Sequence, residues 1–148
     1  PAPETALVVG FDQLGAYPVK MPEVLETPEG LLVHAPGTIK DQIPPGILAL
    51  NGRQVAVTGF MQPVSLRNGR VNEFLLFRDR GTCCFGGTPR LNHWIGVLLT
   101  NGTTAAKLGR PVTVEGRIDV DEIRTEGVLV GIYRIEASRV TDADAVNP

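Results

Sequence analysis

The sequence predicts an all-β domain, and three observations lead to that fold class. Val, Leu, Ile and Ala fall in short runs separated by 17 Gly and 12 Pro residues, a texture of strands and turns rather than of long helices. Several of these runs alternate apolar and polar residues with a period of two. The 148 residues have the length of one domain, and the 43% hydrophobic and 20% charged residues indicate a globular chain.

Residues 1–50 are predicted to form an irregular extension that packs on the sheet. A helical turn is expected within residues 11–17 and a short strand at 31–34, whereas the prolines and acids of residues 21–30 indicate a loop. Residues 44–50 predict another helical turn, and the Asn-Gly pair at 51–52 ends it because both residues tolerate the left-handed conformation.

The regular strands begin after this extension. Residues 54–61 alternate, with Val55 and Val57 on one face. The Asn-Gly pair at 68–69 suits the positive backbone angles of a type I′ hairpin turn. Residues 71–78 are apolar on both faces, which predicts a strand in the centre of the sheet.

Three further strands are predicted at residues 93–99, 111–119 and 128–137, the second of them with the cleanest alternation. Glycine inside a strand often marks a tight bend, and we interpret Gly59, Gly116 and Gly131 in this way. We therefore expect a five-stranded OB-like antiparallel barrel over about residues 51–140, with residues 141–148 as a frayed tail of the same domain. An open β-sandwich is the alternative.

Charge is segregated along the chain although the net charge is only −2. Residues 51–110 carry eight basic side chains against two acidic ones, and both flanks are acidic. This centre is either an anion-binding surface or a region that the flanks cover and neutralise. Arginines interleaved with Phe and Trp are typical of the grooves in which proteins bind single-stranded nucleic acid. A pI of about 5.7 argues against nucleic acid as the partner.

The segment from Gly81 to Trp94 is predicted to be the loop that carries function, because it is rich in glycine and concentrates the reactive side chains. The candidate ligand-binding residues in and beside it are Arg78, Arg80, Cys84, Arg90, Asn92 and His93.

Metal binding and thiol chemistry are two specific possibilities for this loop. Cys83, Cys84 and His93, with His34 as a fourth donor, have the number of ligands that zinc needs, and copper(I) would accept fewer. Neighbouring cysteines can instead close a strained disulfide, and nearby arginines would favour a thiolate. Two further interpretations stay open: a hydrolase with a Cys–His pair, and a thiol that only fills the base of the loop.

Several motifs give the chain a family resemblance. They are Ile43-Pro44-Pro45 with Leu50-Asn51-Gly52, the run from Val55 to Pro63, Glu73-Phe74-Leu75-Leu76, Gly81-Thr82-Cys83, and the run from Gly131 to Ala137. The chain resembles an uncharacterised bacterial family, domain of unknown function three-two-nine-nine, from about residue 11 to residue 140. Many relatives follow the cysteine with Ile-His, whereas Cys84-Phe85 follows here. The resemblance implies an exported, periplasmic or otherwise extracytoplasmic protein, often lipid-anchored as a precursor, and implies no activity.

The expected function is that of an extracytoplasmic, non-catalytic binding module, with the Gly81–Trp94 loop as its site and a protein or small ligand as its partner. The alternative is a thiol-dependent redox or metal-handling protein centred on Cys83 and Cys84. No hydrolase elbow, phosphate loop or carboxylate dyad is present in the sequence. No apolar run approaches the roughly 20 residues that span a bilayer.

Overall fold

The computed structural model describes residues 6–20, 23–34, 39–78, 91–125 and 128–143. Short helices occur at α1 (Phe11–Leu14), α2 (Ile39–Gln42) and α3 (Pro45–Leu48), with a 3-10 turn at Leu91–His93. The strands are β1 (Leu7–Val8), β2 (Val24–Glu26), β3 (Leu32–His34), β4 (Gln54–Pro63), β5 (Arg70–Val71), β6 (Glu73–Phe77), β7 (Trp94–Leu99), β8 (Thr104–Ala105), β9 (Pro111–Thr125) and β10 (Val128–Asp142). The described part of the chain is therefore mostly β, as predicted.

Five strands are hydrogen-bonded in a closed order. β4 pairs with β6, β6 with β7, β7 with β10 and β10 with β9, and β9 pairs back with β4. We call this set the five-strand ring. β1 adds to β4 from outside as a short parallel strand.

The prediction of an entirely antiparallel sheet is wrong, because the sheet is mixed. β7 and β10 are parallel over residues 96–99 and 134–137, while the other four neighbouring pairs of the ring are antiparallel. The reason is one of parity. Strand directions must alternate around an antiparallel ring, and an odd number of strands cannot alternate all the way round, so at least one pair is parallel.

The inside of the ring is the core, and the alternation predicted for its strands is confirmed. Val55 and Val57 of β4 and Val112 and Val114 of β9 are fully buried. Gly116 lies against the backbone of β10, since a Cβ added there would lie 2.1 Å from the carbonyl oxygen of Glu136. Such a contact is far inside van der Waals distance, so the position requires glycine.

β9 and β10 are longer than predicted, because β9 continues into residues expected to be loop and β10 into residues expected to be a frayed tail. β9 runs to Thr125 and so includes much of the acidic stretch, and β10 runs to Asp142. Register shifts interrupt their pairing at Leu129, Gly131 and Tyr133. Irregularities of this kind bend a strand pair. Here they accompany the contact with β7 of the outer half of the β9–β10 hairpin, the half nearest the turn between the two strands.

The N-terminal segment contributes buried side chains to the same core. The helical turn expected near residue 11 is present as α1, and its Phe11 and Leu14 are buried. The loop expected at residues 21–30 is partly a hairpin, since β2 pairs with β3 around a turn in which Gly30 has a φ of +84°. Among the described helices, none is long and apolar enough to cross a membrane.

Candidate functional site

The predicted loop lies mostly outside the described residues. Arg80, Cys83, Cys84 and Arg90 all fall there, so their roles stay predictions. The structure describes both ends of the segment, and these ends meet: the backbone N–H of Arg78 donates to the carbonyl oxygen of His93 at 3.2 Å.

Asn92 and His93 are packed against the N-terminal segment. Asn92 is fully buried, and its Nδ2 donates to the carbonyl oxygen of Tyr17 at 2.7 Å. Its Oδ1 has no hydrogen-bond partner among the described residues. The ring of His93 lies beside Gly15, where an added Cβ would come within 3.0 Å of its Cδ2. Within the described ranges, no three His, Cys, Asp or Glu side chains gather as a metal site would require.

Two tyrosines form a buried hydrogen-bonded pair close to Asn92. The hydroxyl of Tyr133 donates to the carbonyl oxygen of Leu14 at 2.7 Å. A tyrosine hydroxyl has one proton to donate, so the bond between the two hydroxyls runs from Tyr17 to Tyr133. Burial raises the pKa of both tyrosines above the ordinary value. This cluster attaches the N-terminal segment to β10.

A groove of about 400 Å³ runs along the outer face of β6 and β7. We call it the Trp94 groove. Its floor includes Leu75, Gly96 and Leu98, and the outer half of the β9–β10 hairpin forms one wall. Trp94 is joined to that wall, because its Nε1 donates to the carbonyl oxygen of Val130 at 3.1 Å.

Strand alternation explains which side chains line the groove. Ile95, Val97 and Leu99 of β7 point into the core, so Trp94 and the residues at alternate positions point outward. Leu75 of β6 and Arg134 of β10 both pair in register with Gly96, one on each side of it. Because Gly96 has no side chain, the floor is open between these two neighbours.

Among the described residues, two charged side chains of opposite sign line the Trp94 groove. They are Glu73 of β6 and Arg134 of β10, and both are exposed. Neither forms an ion pair with any residue that the structure describes. The groove therefore offers an apolar floor with one free carboxylate and one free guanidinium, an arrangement suited to recognition.

Sequence reasoning missed most of this groove. Trp94 was included as the last residue of the predicted loop, but Glu73, Gly96 and Arg134 were not predicted to be site residues. The available signal was the doubly apolar strand near residue 75. This pattern predicts a central strand, which is correct, and it also marks an outward apolar surface.

Comparisons with known proteins find one family. A family model described as "Protein of unknown function (DUF3299)" matches residues 40–142. The crystal structure of a DUF3299 family protein from Pseudomonas aeruginosa PAO1 is similar, with a TM-score of 0.63 and 25% sequence identity. The similarity covers 94% of this chain and 97% of that one. No curated protein matches.

Proposed function

This chain belongs to the DUF3299 family of proteins of unknown function, and we propose that it is a non-catalytic binding module that holds a small ligand in the Trp94 groove. The family description assigns no activity, so the proposal depends on the chemistry of the groove. An apolar floor, an indole and two isolated charges are groups that bind and orient a ligand.

The observation that carries the proposal is the groove with Trp94 at one end. Its volume of about 400 Å³ lies within the range of small-molecule sites, roughly 300–1,000 Å³. The groove also has a preformed floor, since β6 and β7 are paired in register from Glu73 to Phe77. A rigid floor lowers the entropy that a ligand loses on binding.

We further propose that the five-strand ring is an OB-like barrel. The closed order of its strands supports this assignment. OB-folds bind their ligands on the face of the second and third strands, between the loop after the first strand and the loop before the last. In the ring these two strands are β6 and β7, and the groove wall comes from Val64 on one side and the β9–β10 hairpin on the other. The position of the groove thus agrees with the ligand face of that fold.

An extracytoplasmic location is part of the proposal and depends on the family resemblance. Fractionation of the native host, with antibody detection, tests it. Recovery in the periplasmic or membrane-anchored fraction is expected, and recovery with the cytoplasmic enzymes would contradict it.

Trp94 makes the groove directly measurable, because it is the only tryptophan in the chain. We propose titrations of its fluorescence with two apolar probes, 1-octanol and the tripeptide Ala-Leu-Ala blocked at both ends. A saturable change is expected for the wild-type protein.

Two glycine variants show whether a probe occupies the groove. Gly96→Leu fills the floor at little structural cost, since the nearest atom to an added Cβ is the Tyr133 carbonyl oxygen at 4.0 Å. Gly46→Leu adds the same side chain where nothing lies within 4 Å and outside the groove. Binding should be lost in the first variant and kept in the second. Equal affinity in both, or no saturation by either probe, would contradict the proposed site.

A further inference from the structure

Arg134 has no ion-pair partner among the residues that the structure describes, even though two carboxylates lie next to it. Asp119 is directly opposite it on β9, and Glu136 follows two positions along β10 on the same face. Both are held by another arginine: Arg117 Nη2 lies 3.1 Å from a Glu136 oxygen, and Arg117 Nε lies 3.8 Å from an Asp119 oxygen. The guanidinium of Arg134 is therefore available to a group that enters the groove.

Glu73 is the complementary charge on the other side. It lies on β6, two positions before Leu75, and it pairs in register with Leu98. Arg134 is two strands away and level with Leu75. With strands about 4.8 Å apart and a rise of about 3.3 Å per residue, the two Cα atoms are about 12 Å apart. An apolar floor lies between them.

We infer that the ligand of the Trp94 groove is a short apolar peptide with free ends, whose carboxylate pairs with Arg134 and whose ammonium pairs with Glu73. This inference rests on the proposed function of the groove. An extended chain covers about 3.3–3.6 Å per residue, so three residues span about 10 Å, close to the separation of about 12 Å between the Cα atoms of Glu73 and Arg134. The peptide backbone crosses Gly96, where the absent side chain leaves room for it.

The charges of the groove separate this ligand class from others. A polyanion would place negative groups beside Glu73 with only Arg134, among the described lining residues, to offset them. An aliphatic acid would leave Glu73 without a partner. A peptide with both ends free satisfies both side chains at once. Arginine also matches a carboxylate with two parallel N–H donors, which gives the bound peptide its direction.

The test combines blocked peptides with groove variants. Ala-Leu-Ala is titrated against the whole protein in its free, C-amidated and N-acetylated forms, with Trp94 fluorescence as the signal. Amidation should weaken binding to wild type about fivefold, the upper end for a partly solvated ion pair, and should have little effect on Arg134→Gln. Acetylation should weaken wild type similarly and have little effect on Glu73→Gln.

Matched controls remove the same charges elsewhere. Arg110→Gln and Glu26→Gln alter exposed side chains that do not line the groove. In both variants, amidation and acetylation of the peptide should therefore weaken binding as much as they do in wild type. Circular dichroism verifies that each variant is folded.

Two results would overturn the inference. They are equal binding of free and blocked peptides to wild type, and an amidation penalty that persists in Arg134→Gln. If blocked peptide or octanol still binds and Gly96→Leu abolishes that binding, the proposed function stands and only the peptide chemistry fails. If Gly96→Leu changes the binding of none of the probes, both the peptide inference and the proposed function fail.

Discussion

Removing both hydroxyls of the tyrosine pair should destabilise the protein no more than removing that of Tyr133 alone. The hydroxyl of Tyr133 has two bonds, one donated to the carbonyl oxygen of Leu14 and one accepted from Tyr17. Tyr133→Phe therefore leaves a buried acceptor and a buried donor without partners. Adding Tyr17→Phe removes the unpaired donor again.

The expected magnitudes follow from the cost of unpaired buried groups, about 1–3 kcal/mol each. For Tyr133→Phe we expect a loss of about 2–4 kcal/mol in unfolding free energy, since Tyr17 is 9% exposed and its freed hydroxyl keeps some access to water. Tyr17→Phe should cost about 0.5–1.5 kcal/mol, because Tyr133 still donates to the Leu14 carbonyl. The double variant leaves only that carbonyl unpaired, at about 1–3 kcal/mol.

Urea unfolding of the four proteins, followed by the fluorescence of Trp94, measures this cycle. The double variant should be more stable than the sum of the single losses predicts, by about 1–2 kcal/mol. Coincident transitions by fluorescence and circular dichroism establish that unfolding is two-state. Strict additivity, or a double variant clearly less stable than Tyr133→Phe, would refute the assigned direction of the hydrogen bonds.

Three other predictions concern pH, a close contact and the cysteines. Burial raises the folded-state pKa of both tyrosines above 10.0, so the unfolded chain releases these protons at lower pH than the folded protein does. The stability that the two tyrosines contribute is therefore fully present below about pH 10 and falls at higher pH. Urea midpoints between about pH 8 and 11 should show this fall in wild type and a smaller fall in the double phenylalanine variant. Gly116→Ala should lower stability by about 1–3 kcal/mol because the added Cβ meets backbone, whereas Gly46→Ala has open space and should not; equal melting temperatures would contradict this. Because adjacent side chains of an extended backbone leave on opposite sides, the sequence predicts that Cys83 faces the core and that Cys84 is accessible. Cys83→Ser should therefore reduce stability, whereas Cys84→Ser should abolish thiol labelling and any zinc or copper uptake; equal, slow labelling of the two native thiols would contradict this difference.

The strands and turns were predictable wherever local chemistry decides the conformation. In β4 and β9, alternate residues are buried, so that each strand has one buried face, as expected. Asn68 and Gly69 both have positive φ, 55° and 74°, as a type I′ turn requires. The parallel pair was also within reach of reasoning from the sequence, because a closed ring of five strands cannot be entirely antiparallel.

The extent of β9 and β10 was not predictable from local pattern. Residues 120–125 include two adjacent acids and lack clean alternation, a pattern that predicts a loop. They form strand because β10 supplies hydrogen-bond partners up to the Val128–Thr125 pair. Tertiary pairing outweighed weak local propensity here.

By itself, the sequence determined the fold class, the core faces of the strands and the family resemblance, because each depends on residues close together in the chain. The Trp94 groove was decided only by the tertiary structure. Leu75, Gly96 and Arg134 come from three separate strands, and they form one row because register places them side by side. Whether Arg134 is free to bind a ligand depends in turn on Arg117, which holds the neighbouring carboxylates. Long-range register leaves no local signature in a single sequence, so only the folded chain reveals which outward-facing residues become neighbours.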